Sequence, residues 1–184
     1  MNKAFLTSET YIKTYSNLDD NTAGKYIHPA LYDAQNIDLQ QTIGTGLLNK
    51  LVDLVAEDKI DLEENEKYKY LIENYIQDFL LYGTLSNLSI ILSYKLSNFG
   101  VNTTSDEQLN VPALKEIVYL KDYYKDKQNF FKARLQDYLV ENRNLFPEIS
   151  NCSWLFPNLY SSSSCPIWIG GLYSKNLIKK RCEK

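Results

Sequence analysis

The stretch FLLYGTLSNLSIILSY, Phe79–Tyr94, runs sixteen residues without a charge in a chain whose residues are 23% charged. A helix that is apolar nearly all round belongs in the middle of a bundle, where every face meets another helix. A membrane span fits the stretch poorly. Gly83, Thr84, Ser86, Asn87, Ser89 and Ser93 interrupt it, and it falls short of the roughly 18–20 mostly apolar residues a bilayer requires. The expected fold class is therefore all-α, with this stretch as the central element.

Working outward, Tyr68, Leu71, Ile72, Tyr75, Ile76, Phe79 and Leu80 recur three and four apart, which predicts one long helix from about Glu64 to Leu96. Gly83 in its middle is a soft point or a close helix contact, costing about 1 kcal/mol against alanine. After a polar loop over residues 102–110, a second long helix is expected, with Asn110 as its cap and Pro112 in its first turn. It runs to about Arg143, and Phe146-Pro147 marks its end. Leu114, Ile117, Val118, Tyr124, Phe131, Leu135, Tyr138 and Leu139 form its buried stripe, and its outside carries mixed, solvated charge.

Ahead of these helices, Ser8 is positioned to cap a short helix with Tyr11, Ile12 and Tyr15 on one face. Asp20 or Asn21 can cap the next. Pro29 cannot sit deep inside a regular helix, so that helix begins at Pro29 or kinks there. Ala30, Leu31, Ala34, Ile37 and Asp38 follow at helical spacing. Gly44 then stops the segment, and Thr45 can cap a helix with Leu47, Leu48, Leu51, Val52 and Val55 as its stripe.

The order Y-I-x-P-A-x-x-x-A-Q-x-x-D-L-Q-x-x-I-G-x-x-L-x-x-x-L occupies Tyr26–Leu51. It resembles the opening of the head–tail connector, or adaptor, proteins of tailed bacteriophages, and looks most like ring proteins of the crAss-like group. Tyr26, Pro29, Ala34, Gln35, Asp38, Gly44 and Leu47 carry the signature. The resemblance extends over about residues 5–146 and implies a structural virion protein. Such a subunit would form a ring, twelve-fold by analogy, under the portal. It would join the portal to further tail or ring proteins and line a channel through which DNA passes without sequence-specific binding. It would be made in the host cytoplasm and end at the head–tail junction.

From Pro147 the character changes. Residues 1–147 read as the helical domain and residues 148–184 as an extended, mostly irregular arm. The arm holds both tryptophans, a four-serine run and two of the five prolines, and Pro147 directly precedes it. Trp154, Leu155, Phe156, Trp168 and Ile169 have the composition of interface anchors, and CPIWIG, residues 165–170, can add a strand to a neighbour. Alternatively the arm packs on its own bundle. The last eleven residues, with Lys179, Lys180 and Arg181, total +4 and leave −7 for the remainder. They form either a solvated end or an arm docking on an acidic partner.

A net charge of −3 and a pI near 5.3 exclude a globally basic nucleic-acid binder. Cys152, Cys165 and Cys182 form no CxxC pair, so no disulfide framework or zinc site is expected, and reduced thiols inside a cell are the default. His28, the only histidine, reads as a hydrogen-bonding residue at a helix start. The acidic run Glu57-Asp58, Asp61, Glu63-Glu64 reads as a solvated loop. Gly44-Thr45-Gly46 lacks the lysine of a phosphate loop, and no Glu-x-x-His pair is present for a di-iron site. No enzyme activity and no cofactor are expected. The competing reading is a cytosolic helical protein-binding module, such as a host-directed regulator, that forms no ring.

Overall fold

The uncharged stretch occupies the centre of a helical bundle in the computed structural model, which describes residues 4–97, 100–103 and 114–151. The element order is α1 (Glu9–Thr14), α2 (Gly24–Asp33), a π turn (Ala34–Leu39), α3 (Gln40–Ala56), α4 (Glu66–Leu71), a second π turn (Ile72–Ile76) and α5 (Gln77–Ser93). A short antiparallel hairpin, β1 (Tyr94–Ser97) with β2 (Gly100–Thr103), separates α5 from α6 (Leu114–Glu141). Two 3-10 turns, Arg143–Leu145 and Pro147–Asn151, close the described chain. The fold is an all-α bundle with two long helical runs, α4–α5 and α6.

α5 lies between α2 and α6. From Phe79 to Leu88 every residue is buried except Tyr82 and Asn87, which are half-buried. Its polar residues reach its neighbours. Ser86 Oγ donates to the Lys121 carbonyl on α6 (3.1 Å), and Asn87 Nδ2 donates to the Ala30 carbonyl on α2 (3.3 Å). Ser89 and Ser93 donate back along α5 to the carbonyls of Ser86 and Ser89. Gly83 is the closest approach: a Cβ there would stand 2.5 Å from Gln128 Nε2 and 3.1 Å from Ala34 Cβ. Three elements cross at that point, and only the missing side chain lets them.

Ser8 caps α1 as expected, its Oγ accepting from the Tyr11 N–H (3.0 Å). Gly44 breaks the chain direction with φ 81 and ψ 160, a conformation that is essentially glycine-only. The stripe after it is buried at Leu47, Leu48, Leu51 and Val52.

Several local expectations are corrected. α2 begins at Gly24 behind Ala23 with no side-chain cap, because Asp19 instead closes its own turn onto the Asn21 N–H (2.8 Å). Pro29 lies inside α2. The N–H it lacks would have bonded Lys25, in the exposed first turn, and Pro29 itself is exposed. Thr45 Oγ1 is engaged by Gln40 Nε2 (3.0 Å) rather than by a helix start, and Gly44 supplies the extended backbone. Ile37 is 53% exposed, because the π turn rotates it off the buried face. α5 ends at Ser93, since Tyr94 is already extended (φ −129, ψ 136). Tyr94–Leu96 and Asn102–Thr103 thus pair as strands rather than helix end and loop. Asn110 and Pro112 lie outside the described residues. His28 sits mid-helix, exposed, with Nε2 3.3 Å from Glu9.

The bundle also extends past Pro147. Ile149 is fully buried, Glu148 packs its backbone over Gly46, and Tyr68 Oη donates to Glu148 Oε1 (2.8 Å). Residues 148–151 therefore pack with the helices, and residues 152–184 lie outside the described residues.

Two tyrosine–carboxylate contacts, one at the half-buried Tyr11 and one at the buried Tyr68, carry a pH prediction. Tyr11 Oη donates to Asp78 (3.0 Å), tying α1 to α5, and Tyr68 does the same to Glu148. Burial first, then the adjacent carboxylate, pushes both phenols well above their ordinary value of 10.0. In the unfolded chain they ionise near that value. Their stabilisation is thus fully present below about pH 10 and is lost as pH climbs toward the folded values. Urea midpoints between about pH 8 and about pH 11 should fall, and the fall should be shallower in Tyr11→Phe/Tyr68→Phe. An equal decline in both proteins would remove these two groups as its cause.

Candidate assembly interface

Three rings on α6 face away from the core. Tyr119 is 75% exposed, Tyr123 45% and Phe130 66%. At spacings of four and seven residues they share one side of the helix over about 16 Å. Exposed apolar residues scattered singly are ordinary, but aromatics aligned on one face are the material of contact surfaces.

The opposite side of α6 explains why this face is left outward. Ile117, Tyr124, Gln128, Leu135 and Leu139 are buried. Gln128 is only 1% exposed and its Nε2 donates to Asp38 Oδ2 (2.9 Å), while Lys125 Nζ donates to both Asp38 oxygens (3.1 and 3.2 Å). A buried amide nitrogen is costly to leave unpaired, about 1–3 kcal/mol, so this node, through the Nε2–Asp38 bond, favours this rotation of α6. Gln128 Oε1 has no hydrogen-bond partner among the described residues. Leu114 and Val118, expected in the buried stripe, are 63% and 46% exposed. They sit to one side of the Ile117–Tyr124–Gln128 direction that the node favours.

Along the seam of α5 and α6 the aromatics are already engaged. Tyr82 stacks on Phe131 (5.3 Å, 14°), Phe131 meets Phe130 edge-on (5.4 Å, 88°), and Lys127 Nζ lies over both Tyr82 and Tyr123 (5.2 and 4.4 Å). Further along, Arg134 covers Tyr75 (4.9 Å), which stacks on Tyr138 (4.2 Å, 21°). Hydrogen bonding to Tyr123 raises the Lys127 ammonium above its ordinary value, holding it charged there. Faces stacked on one another cannot stack bases, so the half-buried tyrosines act in packing. Tyr119 and Phe130 remain mostly exposed.

The signature residues have structural positions. Gln35 is 3% exposed and pairs with the N-terminal segment at two points: the Leu6 N–H donates to its Oε1 (2.9 Å), and its Nε2 donates to the Ala4 carbonyl (3.0 Å). Asp38 anchors α6, Gly44 makes the bend, and Ala34 and Leu47 are fully buried. Tyr26 is half-buried beneath Lys25 Nζ (4.8 Å). The expected arm residues Trp154, Leu155, Phe156, Trp168, Ile169, Lys179, Lys180 and Arg181 lie outside the described residues. Among the described residues no group of histidine, cysteine or carboxylate side chains could hold a metal ion, and no helix is long and apolar enough to cross a membrane. Sequence reading missed the Tyr119–Tyr123–Phe130 ridge. Its signal was present as three aromatics off the buried stripe, hidden among the charges of the outer face.

Residues 39–153 match a family model described as a family of unknown function, DUF6712. The chain belongs to this family. The matched span runs from the end of the first π turn through α6 and its closing turns, so the DUF6712 region contains the Gly44 bend, the Gly83 crossing and the outward ridge. No curated protein and no solved structure matches the chain.

Proposed function

We propose that the chain is a subunit of a tailed-phage head–tail connector, packing side by side into a ring beneath the portal and joining it to the tail. The outward ridge of α6 carries this reading. A long helix whose core face is held by the Asp38–Gln128 node presents Tyr119, Tyr123 and Phe130 for a neighbouring subunit. The Tyr26–Leu51 signature supports a connector over other helical assemblies. In this role the protein is structural, without cofactor or catalysis. It resides in the virion after synthesis in the host cytoplasm, and DNA passes through the channel of a twelve-fold ring. The arm beyond residue 151 reaches the portal or the next tail or ring protein through Trp154, Phe156 and Trp168.

Electron microscopy of the protein, produced alone and together with a portal protein encoded in the same genome, tests this. Rings are expected. Tyr119→Ala/Tyr123→Ala/Phe130→Ala should abolish them at unchanged helical circular dichroism, since buried aromatic anchors contribute about 2 kcal/mol or more each to an interface. Soluble one-to-one complexes in place of rings would support the binding-module reading. A chain that stays monomeric with the portal present and is missing from virions would sink the connector.

A further inference from the structure

A groove of about 280 Å3 lies between the N-terminal segment and the corner where α3 turns into α4. Phe5, Val55, Ile60 and Ile72 supply its apolar floor. Thr7 lines it too, with a buried hydroxyl that has no hydrogen-bond partner among the described residues. Asp61, Lys69 and Glu73 stand at its edge.

This corner is strongly acidic. Between Glu57 and Glu73 the chain carries seven carboxylates against three lysines, a balance of −4. All three cations are already committed. Lys59 pairs with Glu57 (2.7 Å), Lys69 pairs with Asp61 (2.7 Å), and Lys67 Nζ donates to the Leu145 carbonyl (2.7 Å). Glu63, Glu64 and Glu66 are exposed and make no ion pair among the described residues. An apolar groove edged by Asp61 and Glu73, with the exposed Glu63, Glu64 and Glu66 next to it in sequence, fits a segment with aliphatic side chains followed directly by cations.

The chain contains such a segment. Leu177-Ile178 is followed by Lys179-Lys180-Arg181, and residues 174–184 total +4 against the corner's −4. We propose that Leu177–Arg181 docks in this groove of the same chain, the aliphatic pair on the floor and the three cations over Glu63, Glu64 and Glu66. Reach permits it. Leu177 follows Asn151 by 26 residues, about 85 Å of extended chain at ~3.3 Å per residue, against about 42 Å for the length of α6. A tether of this kind gives an effective concentration of about a millimolar, which favours the same chain over a second copy. The docked segment gives the acidic cluster and the basic run a common role, independent of the connector reading.

Cys182, next to Arg181, allows a direct test in the full-length chain. With Cys152→Ser and Cys165→Ser, a nitroxide on Cys182 should broaden the backbone amide signals of Ile60, Asp61 and Lys69. The broadening should vanish at roughly 1 M salt, where the Debye length is ~3 Å. It should vanish also in Lys179→Glu/Lys180→Glu/Arg181→Glu, and return when Glu63→Lys/Glu64→Lys/Glu66→Lys is added to that variant. Three outcomes would overturn the proposal. One is no broadening at the groove in low salt, and another is broadening indifferent to the charge reversal. The third is broadening of a nitrogen-15 chain by a separate spin-labelled chain, which would put the segment on a second copy.

Discussion

Gly83→Val is expected to destabilise the fold by about 2–3 kcal/mol, the range for forcing added methyl groups into a packed core. A Cβ at residue 83 would stand 2.5 Å from Gln128 Nε2 and 3.1 Å from Ala34 Cβ. The end of a glutamine side chain can usually swing aside. Here it cannot do so cheaply, because Gln128 is 1% exposed and its Nε2 is spent on Asp38. Moving it breaks the node that favours this rotation of α6, and a branched side chain adds two carbons beyond the first clash. A fall in melting temperature of about 5–10 °C should accompany the loss, at ~2–4 °C per kcal/mol for a chain of this size. The cause can be isolated with Gln128→Ala. In that background Gly83→Ala should be neutral or stabilising, since the space opens and alanine is worth about 1 kcal/mol more than glycine inside a helix. A Gly83→Val protein within about 0.5 kcal/mol of its parent, the range of ordinary surface changes, would mean that the crossing is not close.

Gly44→Ala should cost a comparable amount for a different reason. The position is buried with φ 81 and ψ 160, where a Cβ meets its own backbone. Such conformations cost about 1–3 kcal/mol for residues other than glycine. The bend cannot relax without consequence. Ile43 before it and Leu47 after it are both fully buried, and a straight helix would turn one of them away from the core. Urea denaturation should show a lower midpoint at unchanged slope. An unchanged midpoint would show that the chain tolerates a regular helix through this point.

Much of the bundle was legible in advance. The uncharged run placed α5, Ser8 announced α1, Gly44 announced the bend, and Phe146-Pro147 announced the turn after α6. Each of these signals is local, arising from a backbone conformation, a cap or a hydrophobic period read within a few residues. The misreadings have one origin as well. Asn21, Thr45 and Tyr94 all had a plausible local role and took another, because hydrogen bonds to Asp19 and Gln40 and strand pairing with Thr103 competed successfully.

The candidate interface was far less legible. Leu114 and Val118 fit an apolar stripe on α6 as well as Ile117 does, and nothing within the helix chooses among them. The choice came from partners distant in sequence. Asp38 receives Gln128 and Lys125 from 90 and 87 residues away, and Gly83 admits the same glutamine. The amino-acid order by itself determined that this is an all-α bundle built on an uncharged helix with a glycine bend, because those features rest on nearest-neighbour sterics and hydrophobic period. Only the tertiary structure decided that Tyr119, Tyr123 and Phe130 face outward, because exposure is a property of what packs against a helix and not of the helix itself.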